Sequence, residues 1–315
     1  MSSNVGRVVR IPRSLPREAV LVAAGLLLIY VVWGSVYVAI RYVVVDVPAL
    51  LSIGVRYVVA GVVLVAYIAA RRGPRVLRAG RRAMVSCLLL ALLLQVLTNG
   101  TTTWAEGAGV QAGPAALLTA LAPIAIVLLR LGTGDRPRAV TWIGIVIGFV
   151  GLTVLIVGGR GVPGFPLWPS LLIVASAGCW AVGSFLQPRL LLPADTFVTA
   201  AYQLLIGGVV LTVAGVVGGE RTSFDFPVGT WIVLAFLTAS SVVSYTTYVW
   251  LLHHAPISLV STHAYVNPVV AVLLGWGWLG EPITWPVVVG GAVVLVAVGL
   301  VMAERRRLPQ EPPVA

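Results

Sequence analysis

The stretch YVVWGSVYVAIRY (residues 30–42) is answered far along the chain by GCWAVGSFLQPRLLLP (178–193), so that Trp33-Gly34-Ser35 meets an echo in Trp180-Ala181-Val182-Gly183-Ser184. Pro123, inside one apolar run, is likewise echoed by Pro268 inside another, and the separations are 145 to 149 residues. The chain says nearly the same thing twice. Crossing a bilayer takes about 20 mostly apolar residues at about 1.5 Å rise each, and ten such stretches are present: 19–41, 48–70, 83–104, 111–131, 139–159, 169–190, 196–218, 229–252, 257–279 and 285–303. Five fall in each copy. An odd number per copy sends the second into the membrane from the opposite side, which is the inverted-repeat arrangement of transporters.

Composition agrees with a polytopic membrane protein. Hydrophobic residues make up 59% of the 315, charged residues only 10%, and mean hydropathy is +1.02, more than one soluble core of this length needs. The net charge of +11 comes from 21 Arg and no Lys, and its distribution separates a membrane device from a nucleic-acid groove. With the N-terminus inside, the inner segments hold Arg7, Arg10, Arg13, Arg17, Arg71, Arg72, Arg75, Arg78, Arg81, Arg82, Arg130, Arg136, Arg138, Arg189 and Arg305–Arg307; the outer ones hold Arg41, Arg160 and Arg221. Seventeen against three is the positive-inside pattern, and it places both termini in the cytoplasm. Nucleic acid is not an expected partner; anionic lipid is.

Loops are short and rich in turn residues, and the segment 160–168, with its Pro and Gly, is the natural boundary between the halves. The expected organisation is a cytoplasmic tail (1–18), a first repeat (19–160), a second (165–304) and a second tail (305–315). The basic N-terminus lacks a small-residue cleavage site after a short apolar core, so span one reads as a transmembrane helix and not a removed signal. Small residues recur within spans (Gly144, Gly148, Gly151; Gly207, Gly208; Gly290, Gly291), as close helix packing in lipid requires. Most of the ten Trp lie near span ends, as an interfacial belt expects. Trp33 and Trp180 lie deep instead.

Polar groups at membrane depth are costly and face the bundle interior, a cavity or one another. Span three carries Gln95, Asn99 and Thr103 at a spacing of four, one face of a helix. Span nine carries His263 and Asn267 at the same spacing, with Pro268 next; Asn267 lies roughly 15 Å in, near the midplane. Span eight adds Ser240, Ser244, Tyr245, Thr247 and Tyr248, and span seven adds Tyr202 and Gln203. Together these could line a polar, aromatic-edged central cavity with Trp33 and Trp180 as matched walls. Each also has a plainer reading: the Asn residues as bonds between helices, His263 as a satisfied core histidine, the Trp pair as core. Arg56, in span two, either grips a substrate carboxylate in its planar fork or pairs with Asp46 or Glu106. Pro123 and Pro268 each remove a donor and free a carbonyl, here of Thr119 and Ala264, so both helices are expected to bend at one depth; matched interrupted helices point to a transport site.

Other classes of chemistry find no purchase. A chain without Lys cannot form a Walker A phosphate loop, and neither H-E-x-x-H nor G-x-S-x-G occurs. Cys87 and Cys179 fall inside spans three and six, which suits packing and not a disulfide framework or metal site. No cofactor or metal is expected, and the chain is not read as an enzyme. No carboxylate lies at the midplane, so a coupling proton would fall to His263 or Glu106; facilitated movement is the other possibility.

At these residues the chain resembles the drug/metabolite transporter superfamily, in the branch with ten helices built from two EamA domains. The most specific match is APISLVSTHAYVNPVVAVLLGWGWLGEPIT (255–284); YVVWGSVYVAIRY (30–42), GVRYVVAG (54–61), TWAEGAGVQAGPAALLTALAP (103–123) and GCWAVGSFLQPRLLLP (178–193) support it. The resemblance covers about residues 20–304. It implies an inner-membrane secondary carrier with alternating access, commonly an exporter of amino acids, related metabolites or toxic compounds, holding its small-molecule substrate between the repeats, with protons as a candidate coupling ion. Glu281 of the Gly280-Glu281 pair, Glu106, Pro123 and Pro268 are the candidate hinge and gating residues. The first half departs from the pattern: it reads LGTGDRP, so Asp135 is only an approximate stand-in for a mirrored Glu. Ala122, not Asn, precedes Pro123. The frame is thus expected to be symmetric, with more of the substrate chemistry in the second half. A channel-like or structural membrane component is the alternative from another class.

Overall fold

The computed structural model describes residues 16–132, 139–159, 164–221, 225–255, 260 and 262–305. Asp135, Arg136, Arg138, Arg160 and most of the tails singled out above, residues 1–15 and 306–315, lie outside the described residues. All regular structure among them is helical. In chain order the helices are α1 (Pro16–Val43), α2 (Ala49–Arg72), α3 (Arg81–Gly107), α4 (Ala112–Thr119), α5 (Ala122–Leu131), α6 (Ala139–Gly158), α7 (Leu167–Leu186), α8 (Thr196–Val217), α9 (Val228–His254), α10 (His263–Leu279) and α11 (Trp285–Arg305). Eight helical stretches, one of them joining α4 to α5, are long and apolar enough to cross a membrane. Two shorter apolar helices, Val266–Leu279 and Trp285–Leu300, follow.

Two elements depart from straight spans. The middle of α3, Ala91–Gly100, is wound as a π-helix, a form that mostly appears as short bulges and often at functional sites. Here Thr98 and Asn99 donate to the carbonyls of Leu93 and Leu94, five residues back, at 2.8 and 2.9 Å, supporting the widened turn with side chains. The fourth apolar run was expected to bend at Pro123; it stops at Thr119 and restarts at Ala122. Proline cannot donate to Thr119, and it suits the first turn of a helix, so Pro123 opens α5. Pro268, by contrast, stays inside α10, only five residues after that helix begins. Pro123 thus opens a helix, whereas Pro268 sits within one.

The packing is built on close backbone approach. A Cβ at Gly208 of α8 would stand 2.6 Å from the Val58 nitrogen and 2.9 Å from the Gly54 carbonyl oxygen of α2; one at Gly151 of α6 would stand 2.9 Å from the Val294 nitrogen of α11. Only the absence of a side chain lets these backbones meet, which is how helices associate where lipid removes any hydrophobic drive. α1 runs beside α9 and α10, while α7 runs beside α3, α4 and α5; α4 also meets α10. The largest apolar core gathers Leu117, Ile124, Ile145, Leu155, Ile173 and Val294 from α4 to α7 and α11.

Candidate functional site

The residues expected to line one cavity fall into three groups. The first surrounds Trp33. Its ring lies 4.9 Å from that of His263, edge to face, and 5.3 Å from that of Tyr248, which in turn lies 6.0 Å from His263. Rings at these distances and angles attract through their quadrupoles, so helices α1, α9 and α10 are joined at one level. Gly34 makes room for this: a Cβ there would stand 2.6 Å from the Val270 side chain and 3.1 Å from the Asn267 carbonyl oxygen. The Nδ1 of His263 lies 3.1 Å from the Val260 carbonyl oxygen, which holds the ring in plane. One turn further along each antiparallel helix come Ser244 and Asn267, both buried, and neither Ser244 Oγ nor Asn267 Oδ1 has a protein partner among the described residues. Tyr245, expected here, has a side chain outside the described residues. The role of Tyr248 was legible only as part of a polar run in span eight.

The second group sits on the π-wound part of α3. Asn99 Nδ2 donates to Gln95 Oε1 at 3.1 Å, and Thr98 Oγ1 donates to the Ser176 carbonyl of α7 at 3.1 Å. Gln95 lies under Gly207 of α8, where a Cβ would stand 2.6 Å from that of Gln95. One turn away on α8, Gln203 is buried and its Nε2 is unpartnered among the described residues. Trp180 is half-buried on α7. It is not brought to Trp33.

The third group lies toward the end of the bundle that carries Glu281. Arg56 is 6% exposed and forms no ion pair with Asp46 or Glu106 among the described residues; its guanidinium stands 5.1 Å over the Tyr57 ring instead. Asp46 accepts from Thr230 Oγ1. Glu106 is fully buried with neither carboxylate oxygen hydrogen-bonded among the described residues, while its backbone carbonyl accepts from Arg41 at 2.6 Å. Glu281 accepts from the Ala112 and Gly113 amides at 2.9 and 3.4 Å. Burial pushes its carboxyl up from the ordinary value, against those two amides and Arg41. A cleft of about 530 Å3 opens here, lined by Arg41, Tyr42, Asp46, Gln111, Gly280 and Glu281 among others. A second, apolar cleft of about 460 Å3 lies among Leu93, Leu128, Cys179 and Val182. Neither is lined by Trp33, Arg56, Gln95, Asn99, Trp180, Gln203, His263 or Asn267.

One residue that the motif reading passed over is Glu220. It follows Gly219, whose φ is +85°, just as Glu281 follows Gly280, whose φ is +66°, and it accepts from the Leu50 and Leu51 amides of α2 at 3.1 and 2.8 Å. The signal was present in the sequence as Gly218-Gly219-Glu220 after span seven.

The bundle is built of apolar helices with buried polar atoms that lack a partner among the described residues, and the model of the EamA-like transporter family matches the chain twice, over residues 20–157 and 167–303. The chain belongs to the EamA-like transporter family. EamA-type permeases form part of the drug/metabolite transporter superfamily, and this one is a multi-pass membrane transporter. It is 33% identical over 300 residues to a protein named Uncharacterized inner membrane transporter YedA from Escherichia coli (strain K12), covering 95% of this chain and 96% of that one. It is 23% identical over 286 residues to Uncharacterized transporter YoaV from Bacillus subtilis (strain 168), covering 89% and 96%. A solved crystal structure, 21% identical and covering 93% of this EamA-family chain and 99% of its own, shares the fold at a TM-score of 0.61.

Proposed function

We propose that this EamA-family protein is a secondary carrier that exports a small amphiphilic metabolite across the cytoplasmic membrane by alternating access, with no catalytic step. The observation that carries the reading is a pair of buried polar atoms without a protein partner among the described residues, Ser244 Oγ and Asn267 Oδ1, one turn from the Trp33, Tyr248 and His263 rings. A buried polar atom without a partner costs about 1–3 kcal/mol, and a ligand with an apolar body and a polar end offsets that cost while covering the rings. Gln95, Asn99, Gln203, Trp180 and Arg56 are the remaining candidate contacts, met as the halves rearrange.

In this reading the protein has ten spans in two inverted repeats, 19–160 and 165–304, with both termini cytoplasmic. Helix pairing supports it: span one meets spans eight and nine, as span six meets spans three and four, while spans two and seven, four and nine, and five and ten pair with each other. Advancing every number by five returns the same set. The end bearing Glu281 is then outside. Protons are the proposed coupling ion, with His263 within a span and Glu106 at a span end as the candidate carriers.

Asn267→Ala reconstituted in proteoliposomes is expected to lower saturable flux about tenfold, the loss of one good hydrogen bond to a polar ligand, with unchanged folded protein in the membrane. Unchanged flux removes Asn267 from the site. Absence of saturation and counterflow would identify a pore in place of a carrier, and flux indifferent to an imposed pH gradient would exclude proton coupling.

A further inference from the structure

Resting on the alternating-access reading, we propose that the outer gate is a carboxylate clasp used twice, once as a fixed joint and once as a releasable one: Glu220 holds α2 permanently, and Glu281 holds α4 in a way that opens.

The two clasps are built alike. In each, a helix of the second half ends in a left-handed glycine, Gly219 or Gly280. The following Glu amide turns back to an earlier carbonyl, Glu220 to Gly215 at 2.9 Å and Glu281 to Gly275 at 3.0 Å. The carboxylate then crosses to two consecutive amides in the first turn of a helix in the first half, lying over a bare glycine: a Cβ at Gly215 would stand 2.9 Å from Glu220 Oε2, and one at Gly275 would stand 2.5 Å from Glu281 Oε2. The end of a helix presents unpaired amides and partial positive charge, so each carboxylate caps a helix that belongs to the other half.

Their surroundings set them apart. Around Glu220, α2 and α8 meet backbone to backbone along their length, at Gly54, Gly61 and Gly208, so the capped helix has nowhere to go. Around Glu281, α4 is an eight-residue segment separated from α5 by the break at Ala120 and Leu121, and the cleft lined by Arg41 and Glu281 opens beside it. The first turn of α4 also depends on Glu281 more completely. Pro114 has no amide, Ala115 donates to Gln111, and the remaining two amides, of Ala112 and Gly113, both go to Glu281. Release of one side chain therefore frees α4 to swing about the break, and no comparable movement follows release of Glu220.

The test uses the full-length protein with Cys87→Ala and Cys179→Ala, a reporter at Ala115→Cys, a fully buried position on α4, and a membrane-impermeant maleimide applied to intact cells. Glu281→Ala is expected to raise labelling at the reporter about fivefold to tenfold, the factor that loss of a helix cap is worth, and Glu220→Ala is expected to leave it unchanged. Gly275→Ala supplies a second route to the same end, because the added methyl displaces only the Glu281 carboxylate. Equal reporter labelling in the parent, Glu281→Ala and Gly275→Ala proteins, each confirmed as monodisperse and present in the membrane at parental amounts, would overturn the proposal, as would equal increases for Glu220→Ala and Glu281→Ala. The readout needs no substrate: labelling that responds to Glu281 while no compound is carried would sink the transport reading and leave the clasp standing.

Discussion

Glu281 titrates in a setting that favours its proton. Burial is the largest influence and raises its pKa above the ordinary 4.5, opposed by the Ala112 and Gly113 amides and by Arg41 of α1; Glu106, at the end of α3, faces it as a like charge, and Asp46 and Tyr42 line the same cleft. Either protonation state keeps an oxygen that accepts from the amides. The packed arrangement thus binds the proton more tightly than one in which Glu281 meets water. By linkage, that contribution is fully present below the ordinary carboxylate value and is lost as pH rises through the raised one. Thermal unfolding in detergent is expected to show a midpoint that falls across this window in the parent and is flatter in Glu281→Gln; parallel profiles would assign the dependence to another group. At this scale the sequence was partly legible. Trp33, His263 and Asn267 stood out because polar and aromatic residues at membrane depth need a reason, and the structure joins Trp33 to His263. Arg56 could not be placed, since its partner depends on side-chain direction: its guanidinium stands over Tyr57, close enough to Glu106 to act on it electrostatically but without an ion pair to Glu106 or Asp46 among the described residues. Glu220 was not legible because the repeat symmetry relates the Gly280-Glu281 pair to Asp135, whereas its spatial likeness is the Gly219-Glu220 pair.

Among the helices, apolar length alone located the eight stretches long enough to cross a membrane to within a few residues, because a helix crossing lipid must satisfy its own backbone. The windings within them were less legible. The π-wound centre of α3 depends on Thr98 and Asn99 reaching carbonyls five residues back and on contact with Ser176 of α7, which no local pattern announces. Pro123 sits in the first turn of its helix and Pro268 in the second turn of its own, a difference that the matched sequence positions do not show. Pro123→Ala restores a donor for the Thr119 carbonyl and is expected to join α4 to α5, lowering flux several-fold while leaving the unfolding midpoint unchanged or raised; undiminished flux would show that the break is not used. Close packing makes a sharper prediction. Gly208→Ala sets a methyl against the backbone of Val58 and Gly54 and is expected to cost about 1–3 kcal/mol, seen as a lower unfolding midpoint. Gly178→Ala, whose Cβ would have nothing within 4 Å, is the matched control and is expected to change nothing.

For the molecule as a whole, the doubled pattern and the Arg distribution were enough to read a membrane bundle in two halves, since both follow from composition along the chain. Which helix meets which was not, because pairing rests on glycines whose neighbours lie more than a hundred residues away. Cysteines placed singly along residues 71–82 are expected to react with an impermeant reagent only after the membrane is opened, and one at Gly109, at the other end of α3, in intact cells; the reverse pattern would invert the orientation and, with it, the side on which the Glu281 clasp acts. The glycine seams between α2 and α8 and between α6 and α11 have a consequence for descent. A joint made of bare backbone holds no side chains that selection could exchange, and almost any mutation there adds bulk where there is no room. In the proposed site, novelty in cargo falls to the faces where Trp33, Gln95, Tyr248 and Asn267 stand, so that a lineage of such transporters can change what it moves while its frame stays still.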